Sequence, residues 1–310
     1  MKPRAKLPAP RQDQLPTTAE LLLSWKRHLV ARNLAKTTVV TYAKVVRLLD
    51  EHCGRQGYPR QTALLAQAHI ESFLGDLLSR GSPASAASYF IALGVYFKWC
   101  VEEGELTLSP MARMRIPKVP RKYVPVLTDD QIAKLLKACA GTDFMAKRDT
   151  AIIRFFLATG CRRIELVGLQ LADVDLDGLV VRARLKGGAS HLFPISRKTA
   201  AALDRYVRSR RDHKWAELAW LWLGRRGQLK YHAFEDLLVR RARAAGIGHI
   251  HAHLFRHHFN HEWLDRGGSE NGLMGVVGWR TRSMIDRYGR SLAEKRARDE
   301  YHRLEPGDQF

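Results

Sequence analysis

Apolar positions recur at helical spacing through the first third of the chain. Thr17-x-x-Glu20 reads as a capping box, and Leu21, Leu22, Trp25 and Leu29 follow on one face. A second helix is predicted from about Thr37, with Tyr42, Val45, Val46 and Leu49 turned inward. Lys36, Lys44 and Arg47 are then left for solvent or phosphate. A third helix is predicted over roughly 63–78. A fourth opens at Ser82-Pro83, a cap followed by proline at the first helical position, and carries Phe90, Leu93, Phe97 and Trp99. Four helices joined by short turns make a small all-α domain, assigned to 17–107.

The periodicity stops over 108–127. SPMARMRIPKVPRKYVPVLT holds four prolines and a run of basic residues but no acidic one, so it reads as an extended, positively charged linker lying against a polyanion, or as an ordinary exposed linker. A larger domain, 128–304, begins at Thr128 with Asp129, Asp130 and Gln131 in a first helical turn. Helices are expected near 128–139 and 147–160. GLVVRARLK and SHLFPI alternate apolar residues on either side of Gly187-Gly188, which predicts a β-hairpin. Helices near 197–212, 231–245, 252–266 and 270–278 follow. Residues 1–16 read as a disordered basic leader and 305–310 as an acidic tail. The fold class is mainly α (α+β): an all-helical domain followed by a mixed helical domain with a small antiparallel hairpin or sheet.

Charge changes the picture. Lys and Arg total 52 against 31 Asp and Glu, a net +21. A globular chain this basic meets a polyanion in most settings, because each neutralised phosphate releases a counterion. A ribosome-associated or merely very soluble protein is the alternative. No apolar stretch approaches the length of a spanning helix on this reading, and the N-terminus lacks the apolar core of a secretory signal. Membrane association is therefore not expected. Four scattered cysteines, Cys53, Cys100, Cys139 and Cys161, read as small buried residues in a reducing cytoplasm.

Four segments of the second domain carry candidate chemistry. In TGCRRIEL, Arg162 leaves the end of an apolar helix with Glu165 three residues on, able to hold a guanidinium that clamps phosphate oxygens. A purely structural Arg–Glu pair fits equally. Lys186 sits at the hairpin tip, either solvated or reaching into a DNA groove to protonate a leaving oxygen. In HAHLFRHHFNH, His253 and Arg256 share a helix face, an arrangement that joins proton handling to charge stabilisation. His253, His257 and His261 also repeat every four residues, which raises zinc. But no H-E-x-x-H and no nearby cysteine complete such a site. In GWRTRSMIDRYGRS, Tyr288 lies among Arg280, Arg282, Arg287 and Arg290. Cations favour the phenolate of a tyrosine whose free pKa is about 10. A tyrosine packed on a helix is the plain alternative.

Taken together, Arg162, Lys186, His253-x-x-Arg256, Trp279 and Tyr288 resemble the tyrosine recombinase (phage integrase) family over about residues 17–300. T-G-C-R-R-I-E-L is similar to its first arginine box and H-x-H-L-F-R-H to its second, and Tyr288 follows V-V-G-W at the family's spacing. Two positions depart from the commoner pattern: Trp279 stands where many members carry histidine, and L-K-G-G-A-S-H replaces G-K-G-x-x-x-R around Lys186. The resemblance implies a C-shaped clamp of a core-binding and a catalytic domain on double-stranded DNA. It implies Tyr288 as nucleophile, with Arg162 and Arg256 on the non-bridging oxygens and Lys186 as acid to the 5′-oxygen. It also implies His253 in proton transfer, Trp279 as a buttress, and Glu165 and His257 supporting from behind.

No metal, ATP or other cofactor is implied. A homo-oligomer on DNA is, with a dimer per site and a synaptic tetramer. The C-terminal stripe Leu292, Ala293, Ala297, Tyr301 and Leu304 is expected to place Tyr301 and Leu304 on a second subunit, or else to fold back on its own domain. Rival readings are a type IB topoisomerase and a non-catalytic DNA-binding regulator of the same fold.

Overall fold

The computed structural model describes residues 15–120, 125–184 and 190–279, and beyond them 281, 282, 285, 297, 298 and 300–303. The chain divides into two compact units, Met1–Lys122 and Tyr123–Phe310.

The first unit holds four helices: α1 (Thr18–Ala31), α2 (Lys36–Gln56), α3 (Gln67–Ser79) and α4 (Pro83–Glu102). The predicted capping box forms at α1. Glu20 N donates to Thr17 Oγ1 at 3.3 Å, and Thr17 N donates to Glu20 Oε2 at 2.7 Å. Trp25 is fully buried at the centre, stacked on Tyr42 and edge-on to Tyr96. α3 starts four residues later than the periodicity suggests, because Thr62–Leu64 forms a 3-10 turn first. There the Thr62 hydroxyl lies 3.0 Å from Tyr96 OH, a buried pairing that holds the turn out of the helix. Pro83 takes the first position of α4, though the Ser82 side chain makes no capping bond.

α4 corrects one expectation. Its 20 residues are long and apolar enough, by length and composition, to cross a membrane. Ala92, Leu93, Tyr96, Phe97 and Cys100 instead fill the core of the first unit.

The segment read as a linker is drawn into both cores at its ends. Met111 packs with the first core and Leu127 with the second. The second unit begins at α5 (Asp129–Ala138), capped by Thr128, whose hydroxyl accepts from Gln131 N at 3.2 Å. α6 (Phe144–Thr159) buries Ala151, Ile152, Ile153, Phe155 and Phe156 together with Arg148 and Asp149, so it forms the centre of the unit. A five-residue helix, α7 (Arg163–Val167), follows it.

Three antiparallel strands come next, in the order β1 (Val174–Asp175), β2 (Val180–Arg184) and β3 (Ser190–Pro194). The predicted hairpin is β2–β3, with Val181 opposite Phe193 and Ala183 opposite His191. Its turn, 185–189 with Lys186, lies outside the described residues. Then come α8 (Arg197–Arg210), a tight hairpin of β4 (Leu223–Gly224) and β5 (Gly227–Gln228), α9 (Tyr231–Ala244), α10 (Ala252–Asp265) and α11 (Glu270–Val277). α6 packs on α8 and α10, with Phe156 stacked on Phe255 at 5.3 Å between ring centres.

A buried ionic knot fixes α5, α6 and α9 together. Asp149, fully buried, accepts from Arg148 Nη2 at 2.7 Å, Arg241 Nε at 2.8 Å and Arg240 Nη2 at 3.3 Å. Arg148 also donates to Leu223 O at 2.9 Å, and Arg241 to Ala138 O at 2.9 Å. Removing one partner of a buried pair strands the rest, at a cost of roughly 3–5 kcal/mol. Asp149→Ala is therefore expected to lower unfolding stability by about that amount, read by urea titration of tryptophan fluorescence. A loss below about 1 kcal/mol, the range of an exposed pair, would show that the arginines relax to solvent without cost.

Candidate active site

The first arginine stands where α6 stops. Gly160 caps that helix at φ +55°, a left-handed conformation that glycine adopts freely. A Cβ there would also fall 2.9 Å from the Phe259 ring of α10. Only glycine lets the chain turn this close to α10. Two residues on, Arg162 caps α7. Its backbone N donates to Glu165 Oε2 at 2.7 Å and its Nη1 to Glu165 Oε1 at 2.8 Å. Glu165 is buried while the Arg162 side chain stays 39% exposed. The carboxylate thus holds the backbone N–H and one guanidinium nitrogen, and the remaining guanidinium donors are left for a ligand.

Arg256, on α10, is almost fully buried. Its Nη1 donates to Gly160 O at 2.8 Å and its Nη2 to Val277 O at 3.2 Å. Its guanidinium carbon lies 5.3 Å from the centre of the Trp279 ring. One side chain thus ties the end of α6 to the end of α11, two residues from Arg162 along the chain. Trp279 is itself buried, packed with Leu264, Leu273, Val277 and Ile285 in a small satellite core. It supports Arg256 from beneath.

His253 lies one helical turn before Arg256 and reaches the surface. Its pKa is pushed below the ordinary 6.5, first by partial desolvation and then by Arg256, His251, Arg162 and Arg163. Both effects disfavour the protonated ring. The His257 ring is 6.1 Å from that of His253. Among the described residues no cluster of His, Cys, Asp or Glu could hold a metal ion.

The structure thus brings Arg162, Glu165, His253, Arg256, His257 and Trp279 to one region, where α6, α7, α10 and α11 end or begin. Lys186 and Tyr288 lie outside the described residues, as do Arg280, Arg287, Arg290 and Leu304. Tyr301 is exposed.

Two supporting side chains were not singled out in the sequence. His191 Nε2 lies 2.8 Å from Val276 O, and its ring lies 3.4 Å from where a Cβ on Gly278 would be, so β3 is pinned to the end of α11 beside Trp279. Its only sequence signal was position: it stands where the commoner hairpin pattern carries arginine. Arg163 is the second, its side chain turned to α9.

A helical first unit, a mixed second unit and this cluster fit a site-specific recombinase of the tyrosine class. Comparison with known proteins agrees. The model of the phage integrase family matches residues 125–295, and that of its N-terminal SAM-like domain matches 22–104. Tyrosine recombinase XerC of Azotobacter vinelandii is 30% identical over 249 residues, covering 80% of this chain and 83% of the relative.

Among solved structures, the integrase of transposon Tn1549, in complex with a circular intermediate DNA, superposes with a TM-score of 0.74 at 18% identity. That match covers 93% of this chain and 99% of the other. A lambda integrase dimer bound to a core site gives 0.70 at 19% identity, covering 88% and 95%. At these identities the two structures speak for the fold alone. The chain belongs to the phage integrase family.

Proposed function

We propose that this protein cuts and rejoins double-stranded DNA at a specific site through a covalent bond to Tyr288. The Tyr288 oxygen attacks the scissile phosphorus. The bond to the 5′-oxygen breaks, leaving a 3′-phosphotyrosyl protein and a free 5′-hydroxyl. Attack by a 5′-hydroxyl from a partner duplex reverses the step and releases the tyrosine. The phosphodiester energy stays in the intermediate, so the cycle needs no metal, ATP or other cofactor.

Arg162 and Arg256 neutralise the non-bridging oxygens as charge develops on them. Neutral His253 exchanges the proton of Tyr288, and Lys186 protonates the departing 5′-oxygen. Trp279 holds Arg256, while Glu165 holds Arg162 and His257 lies behind His253. The protein works as a homo-oligomer on DNA, a dimer at each site and a tetramer at synapsis, in the bacterial cytoplasm.

The observation that carries this reading is a pair of differently held arginines, one of them a helical turn from His253. Arg162 is tied to a buried carboxylate with its outer edge open, and Arg256 is tied to two backbone carbonyls. That combination suits a dianionic transition state better than a structural ion pair, which would close both edges. The test begins by sequencing DNA that stays covalently attached to the protein in its host. Two duplexes bearing the recovered sequence should then exchange strands. Relaxation of supercoils without any exchange would instead identify a topoisomerase.

The lowered pKa of His253 sets a pH expectation. Protonation removes its capacity to accept a proton, and its folded pKa lies below 6.5. Adduct formation on a nicked duplex should therefore hold its rate down to about pH 6.5 and fall only below it. An acid limb centred above 6.5 and lost in His253→Gln would contradict this placement.

A further inference from the structure

A helix of five residues cannot hold its own direction, because it closes too few hydrogen bonds to offset nucleation. α7 is therefore aimed by what it touches. Leu166 is buried beneath it, and Gln228 Nε2 donates to Val167 O at 3.2 Å near its far end. At its near end the contact is made by Arg163. The guanidinium carbon of Arg163 lies 3.6 Å from the centre of the Tyr231 ring on α9. Its Nη1 donates to Glu235 Oε2, one turn further along the same helix. A planar guanidinium stacked on its face and paired at its edge has little freedom left.

Arg162 is the neighbouring residue, and both its backbone N and its Nη1 are bound to Glu165 inside α7. The guanidinium of Arg162 therefore moves with this short helix. We propose that Arg163, clamped between Tyr231 and Glu235, is a positioning residue that aims Arg162 at the scissile phosphate. This rests on the reading that Arg162 neutralises a phosphate oxygen.

Two nicked duplexes test the idea, one ordinary and one with a methylphosphonate at the scissile position. The methyl group replaces a non-bridging oxygen, so the reacting group is neutral and has less need of a guanidinium. Arg163→Ala and Tyr231→Leu should each slow adduct formation on the ordinary duplex by about ten- to a hundredfold, the scale of a misplaced catalytic group. DNA affinity should change less than the rate. On the methylphosphonate duplex both deficits should shrink, in the same sense as that of Arg162→Ala.

Arg163→Lys keeps the charge and the partner Glu235 but loses the planar stack, so it serves if the alanine variant fails to fold. It should show the same dependence on substrate charge. Equal deficits on the two duplexes, with Arg162→Ala rescued, would make Arg163 a merely structural residue and overturn the proposal. If Arg162→Ala gains nothing on the neutral duplex, the reading of Arg162 itself fails and the clamp falls with it.

Discussion

Tyr288→Phe is expected to bind DNA as the unaltered protein does and to form no denaturation-resistant adduct. The substitution removes one oxygen and leaves the ring. Affinity draws on many phosphate contacts of a chain carrying a net +21, and the loss of one hydroxyl barely touches that sum. Chemistry has no such reserve, since the lost atom is the one proposed to bond to phosphorus. A nicked duplex that releases its short 5′ fragment traps the adduct, and a denaturing gel then counts it.

A surviving adduct would point to another tyrosine. Among the described residues, Tyr231 and Tyr301 are the two exposed tyrosines. Tyr231 has its ring face covered by Arg163, and Tyr301 follows the expected nucleophile by thirteen positions. An adduct persisting in Tyr288→Phe and vanishing in Tyr301→Phe would move the nucleophile into the C-terminal segment.

Much of this molecule could be read from local chemistry. The Thr17 and Thr128 caps, Pro83 at the start of α4 and the β2–β3 alternation are each set by a few adjacent residues. So is the Arg162–Glu165 pair, which needs only a single turn of helix. What escaped depends on distance along the chain or on shortness. β1, β4 and β5 have two residues each, too few to show a period. Asp149 lies in the charged run Lys147-Arg148-Asp149, and nothing nearby announces that Arg240 and Arg241 will close over it. The Arg163–Tyr231 stack spans 68 positions. His191 and Val276 are 85 apart. α4 itself was legible, but its length and apolarity as a whole were not, since it was read by its inward face alone.

The two arginines, alike in proposed chemistry, should differ in what their removal does to the fold. Arg162→Ala and Arg256→Ala are each expected to slow adduct formation by on the order of a hundredfold or more, the scale seen when one donor to a transition-state oxyanion is lost. Arg162 is substantially exposed and, among the described residues, its side chain is bonded to Glu165 of α7. Its loss opens Glu165 to water while leaving it the Arg162 backbone N–H, so the cost in stability should be smaller than for Arg256, on the order of 1 kcal/mol. Arg256 is buried, and its loss leaves Gly160 O and Val277 O short of donors and Trp279 without its cover. Each stranded buried polar group costs about 1–3 kcal/mol, so Arg256→Ala should unfold at clearly lower urea than Arg162→Ala. Single-turnover cleavage, DNA affinity and urea titration on both variants separate these effects. If affinity falls as steeply as rate in both, the arginines serve to hold DNA and not to stabilise the transition state. If the two variants unfold at the same urea concentration, Arg256 does not fasten α6 to α11. In the expected outcome both lose rate, and only Arg256→Ala also loses stability, because one guanidinium is held by a carboxylate and the other by the backbone of the fold.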